Sequence, residues 1–365
     1  MELPELEIDE ETATARPVVL LVTKKLETAD LGLDPTLCSL ASRFDLRLVE
    51  SPSMALAMSR IVRANNGTVA FTYTMGADPS EVVVVDPNGS RRMVTALNAD
   101  LKEKRALAAP EMFWTESSHD GRPVQSWIVH PPNFDPDREY PLLLEIHGGP
   151  ISNYGDRFSA EVQLYAAAGY VVVYPNARGS TSYGEEFGNL LYHDYPGNDY
   201  DDQMSAVDAV IERGYIDEDR LYVTGGSAGG ISTAWIVGKT ERFRAAVVTK
   251  PVMNWISKTL VADNYNGYSH YRFPGTAWEN PEGYWDFSPL SLVGNVETPT
   301  MVMVGMADLR TPVSEAKQLY HALKLRRIDT ALVELPGSYH NLANRPSQLI
   351  AKVINTLAWF ERYQP

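Results

Sequence analysis

The run "LYVTGGSAGG" at residues 221–230 sets one hydroxyl among glycines, and Gly225, Gly226, Ser227, Ala228 and Gly229 satisfy G-x-S-x-G. An apolar run precedes the motif and a helical pattern follows it. Small neighbours let a serine sit on a tight strand-to-helix turn with its hydroxyl projecting over the sheet. The same residues also suit a plain glycine turn, so the reading depends on partners elsewhere. A serine hydroxyl is a weak nucleophile: it needs a base, and the base needs an orienting acid. In the strand-to-helix version of this chemistry the acid and the base follow the serine, in that order.

Only His270, His321 and His340 follow Ser227. In "VSEAKQLYHALK", Val313, Ala316, Leu319, Tyr320 and Leu323 form the apolar stripe. Ser314, Lys317, His321 and Lys324 fall on the opposite, solvated face. His270 lies in an aromatic-rich segment with no clear strand before it. His340 follows the strand "TALVELPG" directly and is the expected base. For the acid, the strand "TPTMVMVGMAD" delivers Asp308 into a loop, whereas Glu334 lies within a strand and Asp329 falls at the opposite sheet end. A tetrahedral intermediate also needs N–H donors for its oxyanion. Ala228, directly after the serine, is one; Gly148 or Gly149 in "EIHGGP" is the second, since neither carries a side chain to block approach.

These residues need a scaffold that brings strand ends to one edge. From residue 111 onward, unbroken Val/Leu/Ile runs ("YPLLLEIHGG", "YVVVYPNARG", "RLYVTGG", "FRAAVVTKP") alternate with helical patterns. That alternation predicts a doubly wound, mostly parallel α/β sheet covered on both faces. Residues 53–110 read differently. "GTVAFTYTMG" alternates with period 2, and "SEVVVVDPNGSRRMVTAL" is a hairpin around Asn88-Gly89. Such strands suit part of a β-propeller blade. At ~40–45 residues per blade, the first 110 residues hold at most two, so a complete propeller is not expected here. Residues 1–52 read as an acidic tail and a β-α-β piece of unassigned role.

The chain has 365 residues and a net charge of −15, which disfavours nucleic acid as a partner. Its single cysteine, Cys38, excludes a disulfide framework or a cysteine-rich zinc site. No metal or other cofactor is required by the serine chemistry. The acidic N-terminus does not resemble a signal peptide, and no apolar run approaches the ~18 residues of a membrane span. A cytoplasmic protein without a membrane partner is expected.

Residues 111–365 resemble the catalytic domain of the prolyl oligopeptidase family of serine peptidases, most closely its acylaminoacyl-peptidase and bacterial dipeptidyl-peptidase-like branch. "LLLEIHGGP", "NARGSTSYGEEF", "DDQMSAVDAVIERGYIDEDRLYVTGGSAGG", "GMADLRTPVSEAKQLYHALK" and "PGSYHN" carry the likeness. The resemblance implies an α/β-hydrolase fold, no cofactor, and hydrolysis of peptide or N-acyl-aminoacyl bonds in short substrates. Ser227 would be the nucleophile, Asp308 the acid and His340 the base. It puts the loop with Arg178 and Tyr183 near the active site, and offers Tyr183 and Trp255 as pocket residues, each equally suited to core packing. His147 stands where some relatives place an oxyanion-binding tyrosine, which supports Gly148 or Gly149 as donor. These peptidases usually carry a complete propeller, so this chain is expected to be a shortened or engineered form, or one product of a larger precursor. A carboxylesterase on the same fold and an inactive binding or assembly module are the alternatives. The oligomeric state is open, a homo-oligomer included.

Overall fold

The computed structural model describes residues 58–365. The β-α-β piece expected at 1–52 lies outside the described residues. The described chain forms two compact units. One comprises residues up to Ala109 together with Gly155–Ser159; the other comprises Pro110–Tyr154 and Ala160–Pro365.

In the smaller unit, β1 (Met58–Arg63), β2 (Val69–Met75), β3 (Asp78–Val85) and β4 (Arg91–Met93) form an antiparallel meander in that order. The period-2 alternation works out as a one-sided core: Val69, Phe71, Val83 and Val85 are buried together, with Val69 opposite Val85 and Phe71 opposite Val83. The Pro87-Asn88-Gly89 turn closes with Gly89 N–H donating to the Asp86 carbonyl (2.8 Å), and Gly89 takes a φ of 86°. A short helix, α1 (Ala99–Lys104), follows. Gly155–Ser159 joins this unit through the Gly76 N–H, which donates to the Asp156 carbonyl (3.0 Å), and the Phe158 N–H, which donates to Thr74 Oγ1 (3.2 Å).

The larger unit is built on an eight-stranded sheet. Its strands are β5 (Glu111–Glu116), β6 (Pro123–Val129), β7 (Tyr140–Ile146), β8 (Val171–Asn176), β9 (Ile216–Gly226), β10 (Ala245–Thr249), β11 (Thr300–Gly305) and β12 (Thr330–Leu335). Their spatial order is β12-β11-β10-β9-β7-β8-β6-β5. β6 runs antiparallel to β5 and β8, and the pairs from β8 through β12 are parallel. Every residue of β7, β8, β10 and β11 is buried, as unbroken apolar runs require in a sheet covered on both faces. The covering helices are α2 (Ala160–Ala167), α4 (Asp199–Ile211), α5 (Ala228–Lys239), α9 (Val313–Arg326) and α10 (Pro346–Glu361). Short helices α3 (Glu185–Asn189), α6 (Trp255–Val261), α7 (Tyr268–Tyr271) and α8 (Pro281–Asp286) fill the connections. In α9, Ser314, Lys317, His321 and Lys324 are exposed while Ala316, Leu319 and Leu323 are buried, so the helix sits in the register its stripe dictates. Among the described residues no helix is long and apolar enough to cross a membrane.

Candidate active site

The parallel register brings the loops after β7, β9, β11 and β12 to one edge. Ser227 ends β9 and opens α5, with φ 61° and ψ −117°. Held in an L-residue, such backbone costs about 1–3 kcal/mol and persists only where the surroundings over-determine it. Here they do. The Ser227 N–H donates to the Thr249 carbonyl (3.1 Å) on neighbouring β10, and its own carbonyl accepts from the Ile231 N–H (2.9 Å) in the first turn of α5. The flanking glycines leave no room for side chains. A Cβ on Gly225 would stand 2.5 Å from the Gly229 carbonyl oxygen, and one on Gly229 would stand 2.0 Å from that of Ile146.

Asp308 and His340 meet because β11 and β12 are paired, with Gly305 opposite Leu335. Beyond the strands the backbone stays clamped: Met306 N–H donates to the Leu335 carbonyl (3.1 Å) and Ala307 N–H to the Ser338 carbonyl (3.0 Å). Gly337, at φ 62°, turns the chain toward His340. The outcome is a continuous hydrogen-bonded line. His340 Nε2 lies 3.0 Å from Ser227 Oγ, and His340 Nδ1 lies 2.9 Å from Asp308 Oδ2. Asp308 is buried, which raises its carboxyl pKa, but hydrogen bonds from His340 and Thr311 outweigh burial and hold it below the usual aspartate value. The carboxylate also accepts from the Arg310 and Thr311 N–H groups (2.9 and 3.0 Å), so its orientation is fixed independently of the histidine.

The β7 loop reaches the same place because Ile146 is opposite Gly225. A Cβ on Gly148 would lie 3.3 Å from Ser227 Cβ, and Gly149 lines the cavity beside the serine together with Ala228. His147 Nδ1 is 2.7 Å from the Gly148 carbonyl and Nε2 is 3.1 Å from Ser180 Oγ, which pins the loop from behind. Its imidazole is therefore committed to the scaffold.

A cavity of about 300 Å³ opens next to Ser227 and His340. Trp255, buried in a core cluster, also lines it; its indole N–H donates to the Phe287 carbonyl (2.9 Å), so it presents only its ring. Arg178 and Tyr183, which the family likeness put near the active site, are not among the residues that line this cavity. The Tyr183 hydroxyl is held between Asn176 Nδ2 and Gln125 Oε1, both at 2.6 Å. The Arg178 guanidinium is buried, bonded to both carboxylate oxygens of Asp202 (2.8 and 3.0 Å) and to Asp120 (3.1 Å). Removing it strands the Asp202 carboxylate without its cation. Arg178→Met is therefore expected to cost about 3–5 kcal/mol, read as a lowered denaturant midpoint. A midpoint within error of wild type would show that the pair contributes no net stability.

Sequence reasoning missed Tyr195, Lys258, Tyr268 and Arg272, which also line the cavity. Lys258 stands three residues after Trp255 on α6, hence on the same helix face, and that spacing is the one signal available in the sequence.

The strand order and the hydroxyl, imidazole and carboxylate gathered at its loops define the α/β-hydrolase class. Residues 156–364 match the model of the prolyl oligopeptidase family, and the chain belongs to that family. It is 40% identical over 288 residues to the uncharacterized peptidase YuxL of Bacillus subtilis, a match covering 78% of this chain and 44% of that protein. To dipeptidyl-peptidase 5 of Porphyromonas gingivalis it is 27% identical over 293 residues, covering 78% and 42%. The acylaminoacyl peptidase of Pyrococcus horikoshii has the same fold, with a TM-score of 0.78 at 23% identity over 83% of this chain and 49% of that one. The chain thus spans less than half the length of these relatives.

Proposed function

We propose that this chain hydrolyses peptide or N-acyl-aminoacyl bonds of short peptides through an acyl-enzyme on Ser227. The observation that carries the reading is the unbroken line Ser227 Oγ, His340 Nε2, His340 Nδ1, Asp308 Oδ2. His340 takes the serine proton as Oγ attacks the carbonyl carbon, then gives it to the departing amine; water repeats the sequence to free the acid. Asp308 holds the imidazole in its working tautomer and stabilises its charged form. The Ala228 N–H and one from Gly148 or Gly149 receive the oxyanion, each donor worth about 3 kcal/mol in the transition state. Relatives named as dipeptidyl and acylaminoacyl peptidases support short substrates. The four-stranded meander of β1–β4 supports reading that unit as a propeller-like blade. The acidic charge and lone cysteine favour a cytoplasmic setting.

A fluorophosphonate probe is expected to label the wild-type chain and spare Ser227→Ala. Equal labelling of both would sink the proposal. Rates on nitrophenyl esters, acetyl-aminoacyl anilides and dipeptidyl anilides then rank the acyl donors, and turnover of esters alone would make the chain a carboxylesterase.

A further inference from the structure

The cavity beside Ser227 holds charge that an apolar substrate side chain would leave uncompensated. Lys258 and Arg272 both line it, and they are 0% and 8% exposed. Among the described residues, Lys258 Nζ has one hydrogen bond, to Asn264 Oδ1 (2.8 Å), and faces the Tyr268 ring at 4.5 Å. Arg272 lies over the Tyr195 ring at 4.8 Å, and its Nη1 is buried with no hydrogen-bond partner. Among the described residues neither cation has an ion-pair partner within 4.0 Å.

The nearby carboxylates are engaged elsewhere. Asp263 pairs with Arg310 (2.7 Å). Glu315 accepts from the Met253 and Asn254 N–H groups (2.9 and 3.0 Å). Asp308 serves His340. Burial draws the Lys258 ammonium down to about 8, with Asp263 pulling weakly the other way. A cation kept out of water with donors to spare is costly, and an arriving anion relieves the cost.

The position of the cavity says which part of a substrate would bring that anion. Ser227, Ala228 and His340 line it together with Lys258 and Arg272, so an acyl carbon at Ser227 Oγ would have this cavity beside it for its own residue's side chain. The methylenes of such a side chain would lie against the rings of Trp255 and Tyr268, with its end toward Lys258 and Arg272. We propose that the cavity is a subsite for an acidic side chain, selecting peptides with Glu or Asp on the acyl side of the cleaved bond, its carboxylate taken up by Arg272 and Lys258. The proposal rests on Ser227 being the acylating residue.

The test uses the full chain and acetyl-Ala-X-p-nitroanilides with X as Glu, Asp, Gln, Asn, Leu and Phe. Glu is expected to exceed its isosteric amide Gln in kcat/KM by on the order of 10-fold, because the bond to charge outweighs the neutral one. Arg272→Met should bring that ratio close to one while raising Leu. Lys258→Met should do the same in part, and serves if Arg272→Met does not fold. Equal rates for Glu and Gln in the wild type, or a preference for Leu or Phe that survives both substitutions, overturns the proposal. Probe labelling of Ser227 reports separately on the peptidase reading. If that fails, calorimetry with the methylamides of N-acetylglutamate and N-acetylglutamine still reads the cavity, and equal or absent binding overturns the proposal.

Discussion

Ser227→Ala is expected to lower kcat by about 10⁴-fold or more while leaving the fold intact. Alanine removes only the oxygen that lies 3.0 Å from His340 Nε2. The backbone at φ 61° is held by the Thr249 and Ile231 hydrogen bonds, which an alanine retains. The loss should therefore appear in turnover, not in the denaturation midpoint. Because the hydroxyl and the imidazole act as a unit, Ser227→Ala with His340→Ala should be scarcely slower than either alone. Residual activity within tenfold of wild type would mean that another group carries the reaction.

Gly229→Ala should be nearly as damaging, for a steric reason. The added methyl would meet the Ile146 carbonyl oxygen at 2.0 Å and that of His147 at 2.9 Å. Both are backbone atoms on the strand that leads into the Gly148-Gly149 loop, so neither can turn aside. Helix α5 must back away from β7, carrying Ser227 and the Ala228 N–H from the carbonyl they should receive. A shift of about 1 Å is enough to cost on the order of 10²-fold in rate, and overpacking adds about 1–3 kcal/mol of instability. Gly188→Ala in α3 is the matched control. Neither glycine has a positive φ, and nothing lies within 4 Å of the Gly188 Cβ direction. It should keep its stability and its kcat, whereas comparable losses of kcat in both variants would show that the close approach to β7 is not the cause.

Much of the site's frame was legible because local chemistry and global topology agree in it. The glycines around Ser227 and the apolar strand before them point to a strand-turn-helix. Asp308 and His340 were recoverable from chain order, since each follows an apolar strand directly, and the register of β11 with β12 brings them together. β5 escaped notice because Glu111, Met112 and Trp114 are exposed on an edge, where no buried face enforces alternation. The short helices between Trp255 and Asp286 escaped for a related reason: four to seven residues are too few for a periodic stripe. Two of the cavity's missed residues, Lys258 and Tyr268, lie on them. Arg178 was placed near the active site only through the likeness to the family, and the sequence around it carries no sign of Asp202, its partner in the fold.

The hydroxyl and the imidazole hang from very different parts of the sheet. Ser227 ends β9, which is paired on both sides, and β7 and β10 beside it are buried throughout. His340 follows β12, the outermost strand on its side and mostly half-buried. Edge strands open at a lower free energy than central ones, so amide protons of β12 are expected to exchange before those of β9. A brief fraying of that edge would remove the base and leave the serine inert on its strained turn. On warming, activity should then be lost from the margin inward, before the centre of the sheet melts.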